Sequence, residues 1–118
     1  MTVQPLTGIR IVDLTRVLSG PFSTMLLADM GADVIKVEPP RTGDDTRLWP
    51  PFENGVGTIF LSCNRNKRSL AIDIKSKAGK EAVRRLIAGA DVLLENFAPG
   101  TLEKLGFGYQ AAADLNPL

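Results

Sequence analysis

The first forty residues show two apolar runs separated by a segment with helical features. Residues 9–14, IRIVDL, are apolar or β-branched at most positions, as in a strand that is covered on both faces. Residues 21–30 predict a helix, because Pro21 suits the first helical position and Gly31 suits the C-terminal cap. Residues 33–38, DVIKVE, predict a second strand, so this part of the chain is typical of a right-handed βαβ unit with parallel strands.

The second half of the chain repeats this alternation of strand and helix patterns. Residues 69–74 alternate strictly and predict a strand with Leu70, Ile72 and Ile74 on one face. Residues 77–89 predict an amphipathic helix, capped by Gly89, whose apolar stripe is Ala78, Ala82, Val83, Leu86 and Ile87. The remaining predicted elements are a strand at 91–96 and two short helical pieces at 101–106 and 109–115.

Two segments are less regular. Residues 41–57 are rich in proline and glycine and predict a long excursion with little regular structure, of the kind that is usually functional or mobile. Residues 58–64 fit a short strand or a short helix. The order of elements predicts an α/β fold, an open and mostly parallel sheet with helices on its faces. The ending LNPL stops where such a fold would enter its next strand, and it indicates a truncated domain.

Composition restricts the function mainly by exclusion. A chain of 118 residues with 44% hydrophobic residues suits one globular domain, and a net charge of +1 gives no general attraction to nucleic acid or membrane. The single cysteine, Cys63, cannot form an internal disulfide, and without histidine the usual zinc ligands are missing. The N-terminus lacks a signal-peptide pattern, and no apolar run reaches membrane-spanning length. We therefore expect a cytoplasmic protein with no metal, no nucleic-acid partner and no membrane partner.

Positive charge is concentrated in residues 64–80, which hold six cations and one acid, Asp73. Three cations lie at helical spacing away from the apolar stripe, where solvent accounts for them: Lys77, Lys80 and Arg84. Four others flank the predicted strand at 69–74: Arg65, Lys67, Arg68 and Lys75. Strand ends bind phosphates in α/β folds, and no aromatic residue lies between 61 and 96 for base stacking. This group therefore predicts a small phosphorylated ligand ahead of DNA or RNA.

Two turns carry further candidate binding residues. Residues 15–21, TRVLSGP, join the first strand to the first helix, where open α/β sheets bind ligands, but they match neither GxGxxG nor a Walker loop. An ordinary βα turn fits them about as well. Asn96 and Phe97 end the last predicted strand, where an amide and a flat ring suit a base or a pantetheine arm. A capping asparagine and a packed phenylalanine fit the same residues.

The acids and the cysteine give weaker signals. Cys63 is most simply a small buried hydrophobe. Asp44 and Asp45 are adjacent in the predicted loop, and we expect both to be solvated rather than catalytic. Asp13 and Asp73 fall within predicted strands, where a role at the end of the sheet stays open.

Four segments resemble the class III CoA-transferases in the same order and spacing, over nearly the whole chain. They are 5-PLTGIRIVDLTRVLSGPF-22, 31-GADVIKVEPP-40 with 43-GDDTR-47, 64-NRNKRSLAIDIKSKAGK-80 and 91-DVLLENFAPGTLEKLGFGY-109. That family includes formyl-CoA transferases, carnitine CoA-transferases and α-methylacyl-CoA racemases. The resemblance implies that residues 1–118 form the N-terminal, coenzyme-A-binding part of a Rossmann-like large domain in a longer enzyme. It also implies an interlocked homodimer.

The resemblance also implies which residues contact coenzyme A, bound as the acyl-CoA substrate. Carried over position by position, they are Val17, Leu18, Ser19, Ile72, Lys75, Asn96, Phe97, Lys104 and Leu105. In some relatives a basic residue follows the glutamate of the second strand. Pro39 stands there in this chain, so one phosphate contact is missing or is supplied by Arg41. Within the basic cluster Lys75 is then the best phosphate ligand, assisted by its neighbours Arg65, Lys67 and Arg68.

The implied activity is transfer of coenzyme A between carboxylic acids through aspartyl anhydride and thioester intermediates. Its substrates are an acyl-CoA and a carboxylic acid. The family's nucleophilic aspartate falls beyond residue 118, so the resemblance assigns no catalytic residue here and implies an inactive fragment. Three alternatives stay open: a racemase of the same family acting on 2-methylacyl-CoA, a non-catalytic CoA- or nucleotide-binding module, and a nucleic-acid-binding domain using residues 64–85. An unpaired sheet edge would also make a truncated domain self-associate.

Overall fold

Strands and helices alternate along residues 3–117, the part of the chain that the computed structural model describes. The strands are β1 (Arg10–Asp13), β2 (Asp33–Glu38), β3 (Phe52–Glu53), β4 (Val56–Gly57), β5 (Arg68–Ala71) and β6 (Val92–Leu94). The helices are α1 (Ser19–Asp29), α2 (Thr58–Cys63), α3 (Lys77–Ala88), α4 (Thr101–Leu105) and α5 (Tyr109–Leu115), with a short 3₁₀ helix at Asp45–Leu48.

Four strands form one parallel sheet in the order β5-β2-β1-β6. At its centre Val12 is paired with Ile35 on one side and with Leu93 on the other. The chain builds the sheet outward from β1 to β2 and β5, then returns through α3 to place β6 on the other side of β1. The strand order therefore reverses between β1 and β6. In open α/β sheets ligands bind at such a reversal, outside the carboxyl ends of the strands.

Helices cover both faces of this sheet. Consecutive residues of β1 point to opposite faces, so β1 contributes side chains to a core on each side. Ile11 packs in one core with Ala28 of α1. Val12 packs in a second core with Val83 and Ile87 of α3. The predicted α/β class, a mostly parallel sheet with helices on both faces, is confirmed. Each core stabilises the fold by removing apolar surface from water.

Helix α1 begins two residues earlier than predicted. Pro21 is its third residue rather than its first, and proline is accommodated there because backbone nitrogens in the first turn need no intrahelical acceptor. At the other end Gly31 follows the C-cap with a φ of +100°, a left-handed value that glycine adopts without steric cost.

The predicted strand at 69–74 is too long, because β5 ends at Ala71. The Ile72 N–H still donates to the Glu38 carbonyl (2.9 Å), but the chain then turns, and the Ser76 N–H donates to the Asp73 carbonyl (3.1 Å). Residues 72–75 consequently form a turn at the carboxyl end of the sheet.

The segment after β2 is more regular than the expected excursion at 41–57. It contains the 3₁₀ helix and a small antiparallel hairpin of β3 and β4. Residues 58–63 form α2, so the helical alternative is the one the chain adopts. Cys63 at the end of α2 is buried, as predicted for a small hydrophobe.

Candidate functional site

A cavity of about 430 Å³ lies at the carboxyl ends of the parallel strands. Its walls come from residues that end or follow β1, β2, β5 and β6 and from α4. Most of these residues are apolar, among them Leu14, Val37, Ile72, Ile74, Phe97 and Leu105. The charged residues on the walls are two cations, Arg16 and Lys75, and two acids, Glu38 and Asp73. An apolar cleft with a few charged groups at this place in an α/β sheet suits a small ligand.

Arg16 follows β1 and is held by the two residues that lie beyond β6. The backbone N–H of Arg16 donates to Asn96 Oδ1 (2.9 Å), and its backbone carbonyl oxygen accepts from Asn96 Nδ2 (2.8 Å). Its guanidinium lies over the Phe97 ring, 5.6 Å from the ring centroid. These contacts join two loops that are 80 residues apart in the sequence, at the reversal of the sheet.

The turn between β1 and α1 has a backbone conformation that its residue types disfavour. Val17 has a φ of +69°, a left-handed value that is rare for a β-branched residue. Its N–H points at both carboxylate oxygens of Asp44 (3.3 and 3.4 Å). Leu18 and Ser19 follow at the exposed start of α1, where leucine has no side-chain group that could cap the helix. The first N–H groups of α1 are therefore suited to an anionic ligand.

Asp44 anchors this turn because it is buried and ion-paired, contrary to the expectation that it is solvated. Its Oδ2 lies 2.9 Å from Lys36 Nζ, and neither side chain is more than 2% exposed. Thr46 donates to Asp44 through its N–H (3.0 Å) and its hydroxyl (2.7 Å). Burial raises the pKa of Asp44, but hydrogen bonds from Thr46 and Lys36 outweigh burial and hold the pKa below its ordinary value. Asp45 is exposed, as expected.

Glu38, on the cavity wall, is compensated by its own partners. Arg47 binds its carboxylate with two hydrogen bonds of 2.8 Å. Ser69 Oγ (2.5 Å) and the Asp44 N–H (2.9 Å) donate to it as well. Burial alone would raise the pKa of Glu38, yet the hydrogen bonds from Arg47, Ser69 and Asp44 lower it to about 2. Glu38 is therefore ionised at neutral pH, and its negative charge is balanced within the protein.

Asp13, the last residue of β1, is fully buried and also ion-paired. It accepts hydrogen bonds from Thr15, from Thr24 Oγ1 (2.6 Å) and from Lys67 Nζ (3.1 Å). Lys67 also donates to the Pro21 carbonyl (2.8 Å). Burial lowers the pKa of Lys67, and the charge of Asp13 opposes that shift. The expectation that Lys67 assists phosphate binding is wrong, because its ammonium is enclosed and engaged inside the protein.

The arginines of the basic cluster lie near the amino ends of the strands, away from the cavity. Arg68, the first residue of β5, binds the Asp33 carboxylate of β2 with two hydrogen bonds (2.9 and 2.7 Å). Arg10, the first residue of β1, donates to the same carboxylate (3.1 Å). Arg65 binds Asp29, the last residue of α1, with two hydrogen bonds (3.1 and 2.5 Å). The expectation that Arg65 and Arg68 assist phosphate binding is wrong as well.

The residues matched to coenzyme A contacts divide into two groups. Four line the cavity: Ile72, Lys75, Phe97 and Leu105. Five lie outside its walls: Val17, Leu18, Ser19, Asn96 and Lys104. Lys75 is exposed, and within residues 3–117 its ammonium forms no ion pair. Pro39 lies on the cavity wall, and Arg41 does not.

The sequence interpretation missed Arg16 as a cavity residue and missed the buried pairs formed by Lys36 and Glu38. A signal existed for both. Arg16 directly follows the first strand, where α/β sheets bind ligands. Lys36 and Glu38 stand in an otherwise apolar strand, and a buried charge requires a partner.

Residues 3–117 contain no cluster of three or more His, Cys, Asp and Glu side chains that could hold a metal ion. None of the helices within the same residues has the length and apolarity needed to cross a membrane.

The chain is similar to known proteins over nearly its whole length. The family model described as CoA-transferase family III matches residues 6–118. Succinyl-CoA:glutarate CoA-transferase from Mus musculus is 54% identical over 117 residues, which cover 98% of this chain and 27% of that protein. Formyl-CoA:oxalate CoA-transferase from Afipia carboxidovorans is 49% identical over 115 residues, which cover 97% of this chain and 27% of that protein. The crystal structure of a CAIB/BAIF family protein from Brucella suis matches with a TM-score of 0.91 and 46% identity. The match covers 98% of this chain and 32% of that protein. The chain thus spans about a third or less of the length of these relatives.

Proposed function

The chain belongs to CoA-transferase family III, and from this premise we propose that its cavity binds coenzyme A within an enzyme that moves coenzyme A between carboxylic acids. The observation that carries the proposal is the cavity at the sheet reversal, where Arg16 and Lys75 stand on otherwise mostly apolar walls. Coenzyme A combines phosphate groups with a flat base and a long, mostly apolar arm. A cleft of that mixed character suits both parts of the molecule.

The ligand contacts follow from this placement. Lys75 binds a phosphate group, while Ile72, Phe97 and Leu105 contact the base or the arm. Val17, Leu18 and Ser19 contribute through the start of α1, where backbone N–H groups favour an anion. Lys104, exposed on α4, contacts the rim of the bound ligand.

In this proposal the carboxylate that carries the acyl group comes from outside residues 3–117, as the resemblance to the transferases implies. Three acids at the carboxyl end of the sheet are each bound to a cation, namely Asp13, Glu38 and Asp44. Asp73 accepts a hydrogen bond from the Lys75 N–H (2.9 Å) in the turn after β5. A carboxylate held by a cation is a poor nucleophile, because its negative charge is already stabilised.

In the proposed reaction an enzyme carboxylate attacks the thioester carbonyl of the acyl-CoA. The carbon–sulfur bond breaks, coenzyme A leaves as a thiolate, and a mixed anhydride forms. The thiolate then attacks the enzyme's own carbonyl in that anhydride, which releases the first acid and leaves an enzyme thioester. The second acid repeats both steps in reverse order. Two acyl exchanges of this kind replace one difficult transfer.

The acid that accepts coenzyme A is dicarboxylic in this proposal. The support is that the names of similar proteins include glutarate, oxalate and mesaconate as acceptors. These names also support a transferase rather than a racemase of 2-methylacyl-CoA. The two reactions differ in the laboratory, because a racemase exchanges the α-proton with solvent deuterium without any added acid.

Calorimetric titration of the chain with coenzyme A tests the binding part of the proposal. We expect saturable binding that is weakened about tenfold by Lys75→Ala, since a hydrogen bond to a charged group is lost. Lys77→Ala is the matched control, because Lys77 is an exposed lysine that does not line the cavity. Equal affinities for the two variants would remove Lys75 from the site, and a folded chain that binds no coenzyme A would contradict the proposal.

We further propose that the protein acts as a homodimer in the cytoplasm. The support for self-association is a stripe on the outer side of α1, where Leu18, Phe22, Leu26 and Met30 recur at four-residue spacing and are 40–55% exposed. Light scattering tests this. A monodisperse monomer would contradict it, whereas a dimer that Phe22→Ser dissociates would support this face as the contact.

A further inference from the structure

We propose that Arg16 contacts the ligand directly, binding an anionic oxygen group of the acyl-CoA, and that Asn96 acts as a positioning residue through Arg16. This inference deepens the proposed function and rests on it. The resemblance to the transferases places Asn96 against the ligand and assigns Arg16 no role. The geometry instead places Arg16 on the cavity wall and directs the Asn96 amide at the backbone of Arg16.

The charge of Arg16 is available to a ligand, unlike that of most arginines in the molecule. Five of the eight arginines donate to a carboxylate within the protein: Arg10, Arg47, Arg65, Arg68 and Arg85. Within residues 3–117 the guanidinium of Arg16 forms no ion pair, and it lies on the wall of the cavity. An arginine whose donors are free on a largely apolar wall is suited to a phosphate or carboxylate, which it can bind with two parallel hydrogen bonds.

The backbone of Arg16 is fixed before any ligand arrives. The Asn96 amide satisfies both its N–H (2.9 Å) and its carbonyl oxygen (2.8 Å). A side-chain amide engaged in this way is directed at the backbone of the facing loop. Asn96 therefore orients residue 16, and does not itself need to reach the ligand. Such preorganisation lowers the entropy that binding must offset.

The side chain of Arg16 is placed by the same loop. Its guanidinium lies 5.6 Å from the centroid of Phe97, whose ring also lines the cavity. A cation over a ring face uses the ring's negative potential and leaves the N–H groups at the guanidinium edge free to donate. The ring thereby steadies the arginine without consuming its hydrogen bonds.

The anion that Arg16 binds has two possible sources, a phosphate of coenzyme A or a free carboxylate at the end of the acyl group. Titrations with four ligands distinguish them: coenzyme A, pantetheine, an acyl-CoA ending in a carboxylate and an acyl-CoA ending in a methyl group. Arg16→Gln is compared with Arg84→Gln, a matched control in which the arginine also lies over a ring, that of Phe107 (5.9 Å), but does not line the cavity.

We expect Arg16→Gln to weaken binding about tenfold or more, as the loss of hydrogen bonds to a charged group does. A loss for coenzyme A but not for pantetheine identifies a phosphate. A loss confined to the acyl-CoA with the free carboxylate identifies the acyl group. If the unaltered chain binds coenzyme A and Arg16→Gln matches Arg84→Gln for every ligand, the inference fails while the proposed function stands. If the unaltered chain binds none of them, both fail.

The positioning role of Asn96 is tested with Asn96→Ala alone and in the Arg16→Gln background. If Asn96 acts through Arg16, its substitution weakens binding in the native background and changes little once Arg16 is gone. Independent, multiplying losses would show that Asn96 contacts the ligand itself and would overturn this part.

Because a variant can fail to fold, the Arg16 Nε–H resonance of the unaltered chain provides a second measurement. We expect it to shift on addition of coenzyme A, and an unchanged resonance at saturation would overturn the contact.

Discussion

The two ends of the sheet carry similar residue types but differ in how the charges are used. At the amino end Arg10 and Arg68 both bind Asp33, so the cations are neutralised by the protein. At the carboxyl end Arg16 and Lys75 line a cavity, and within residues 3–117 neither forms an ion pair. Arg68 and Lys75 both belong to the basic segment 64–80, yet they lie at opposite ends of the sheet. The difference teaches that a candidate site is indicated by cations that both line a cavity and lack an ion pair, and that a local excess of cations in the sequence does not show which of its members these are.

Beneath the carboxyl end, buried ion pairs hold the loops that shape the cavity. Asp44 binds Lys36 and also accepts the N–H of the strained residue Val17. The same carboxylate therefore joins the second strand to the turn that presents Arg16. A buried pair of this kind is costly to assemble and costlier to break, because removing one partner leaves the other charge in a medium of low dielectric.

Breaking that pair has the largest effect that we predict. Asp44→Asn keeps the size of the side chain but leaves Lys36 with an uncompensated buried charge. We expect the free energy of unfolding to fall by about 3–5 kcal/mol in urea titrations. Asp45→Asn is the control, since the neighbouring aspartate is exposed and should change stability by less than about 0.5 kcal/mol. Similar stability of the two variants would contradict the structural role of Asp44.

Lowering the pH tests the same comparison, because the carboxylates at the carboxyl end of the sheet are held ionised in the folded protein. The folded-state pKa of Glu38 is about 2, below its ordinary value of 4.5. The resulting stabilisation is complete above about pH 4.5 and is lost as the pH falls toward 2, by on the order of 3 kcal/mol. Urea unfolding at several pH values measures this loss. Glu38→Gln should flatten the dependence in that range, and an unchanged pH profile in the variant would assign the effect to other acids.

The amino end should give the smallest effect. Arg68→Gln removes an exposed arginine from Asp33, and Arg10 remains on the same carboxylate. We expect less than about 1 kcal/mol of lost stability and an unchanged affinity for coenzyme A. Thermal unfolding and calorimetric titration of this variant beside Lys75→Ala measure both quantities. Weaker coenzyme A binding by Arg68→Gln would show that charge at a distance, rather than contact at the cavity, attracts the ligand.

Hydrophobic periodicity predicted the elements because the signal is local to each segment. The mostly apolar run of 33–38 indicates a strand that is covered on both faces, and the stripe of 77–88 indicates which side of the helix meets a core. Neighbouring residues suffice to read both patterns. The order of these elements was enough for the α/β class. Boundaries were less certain: β5 ends at Ala71 because the chain must turn toward α3, and no residue between 69 and 74 breaks the alternation.

By itself, the sequence therefore determined the succession of strands and helices and a fold class in which ligands bind at the carboxyl ends of the strands. Only the tertiary structure decided which charges remain available. Lys67 meets Asp13 across 54 residues and Arg68 meets Asp33 across 35, whereas Arg16 is left on the wall of the cavity. Ion pairing depends on distances between segments far apart in the chain, and a pattern of neighbouring residues does not contain those distances.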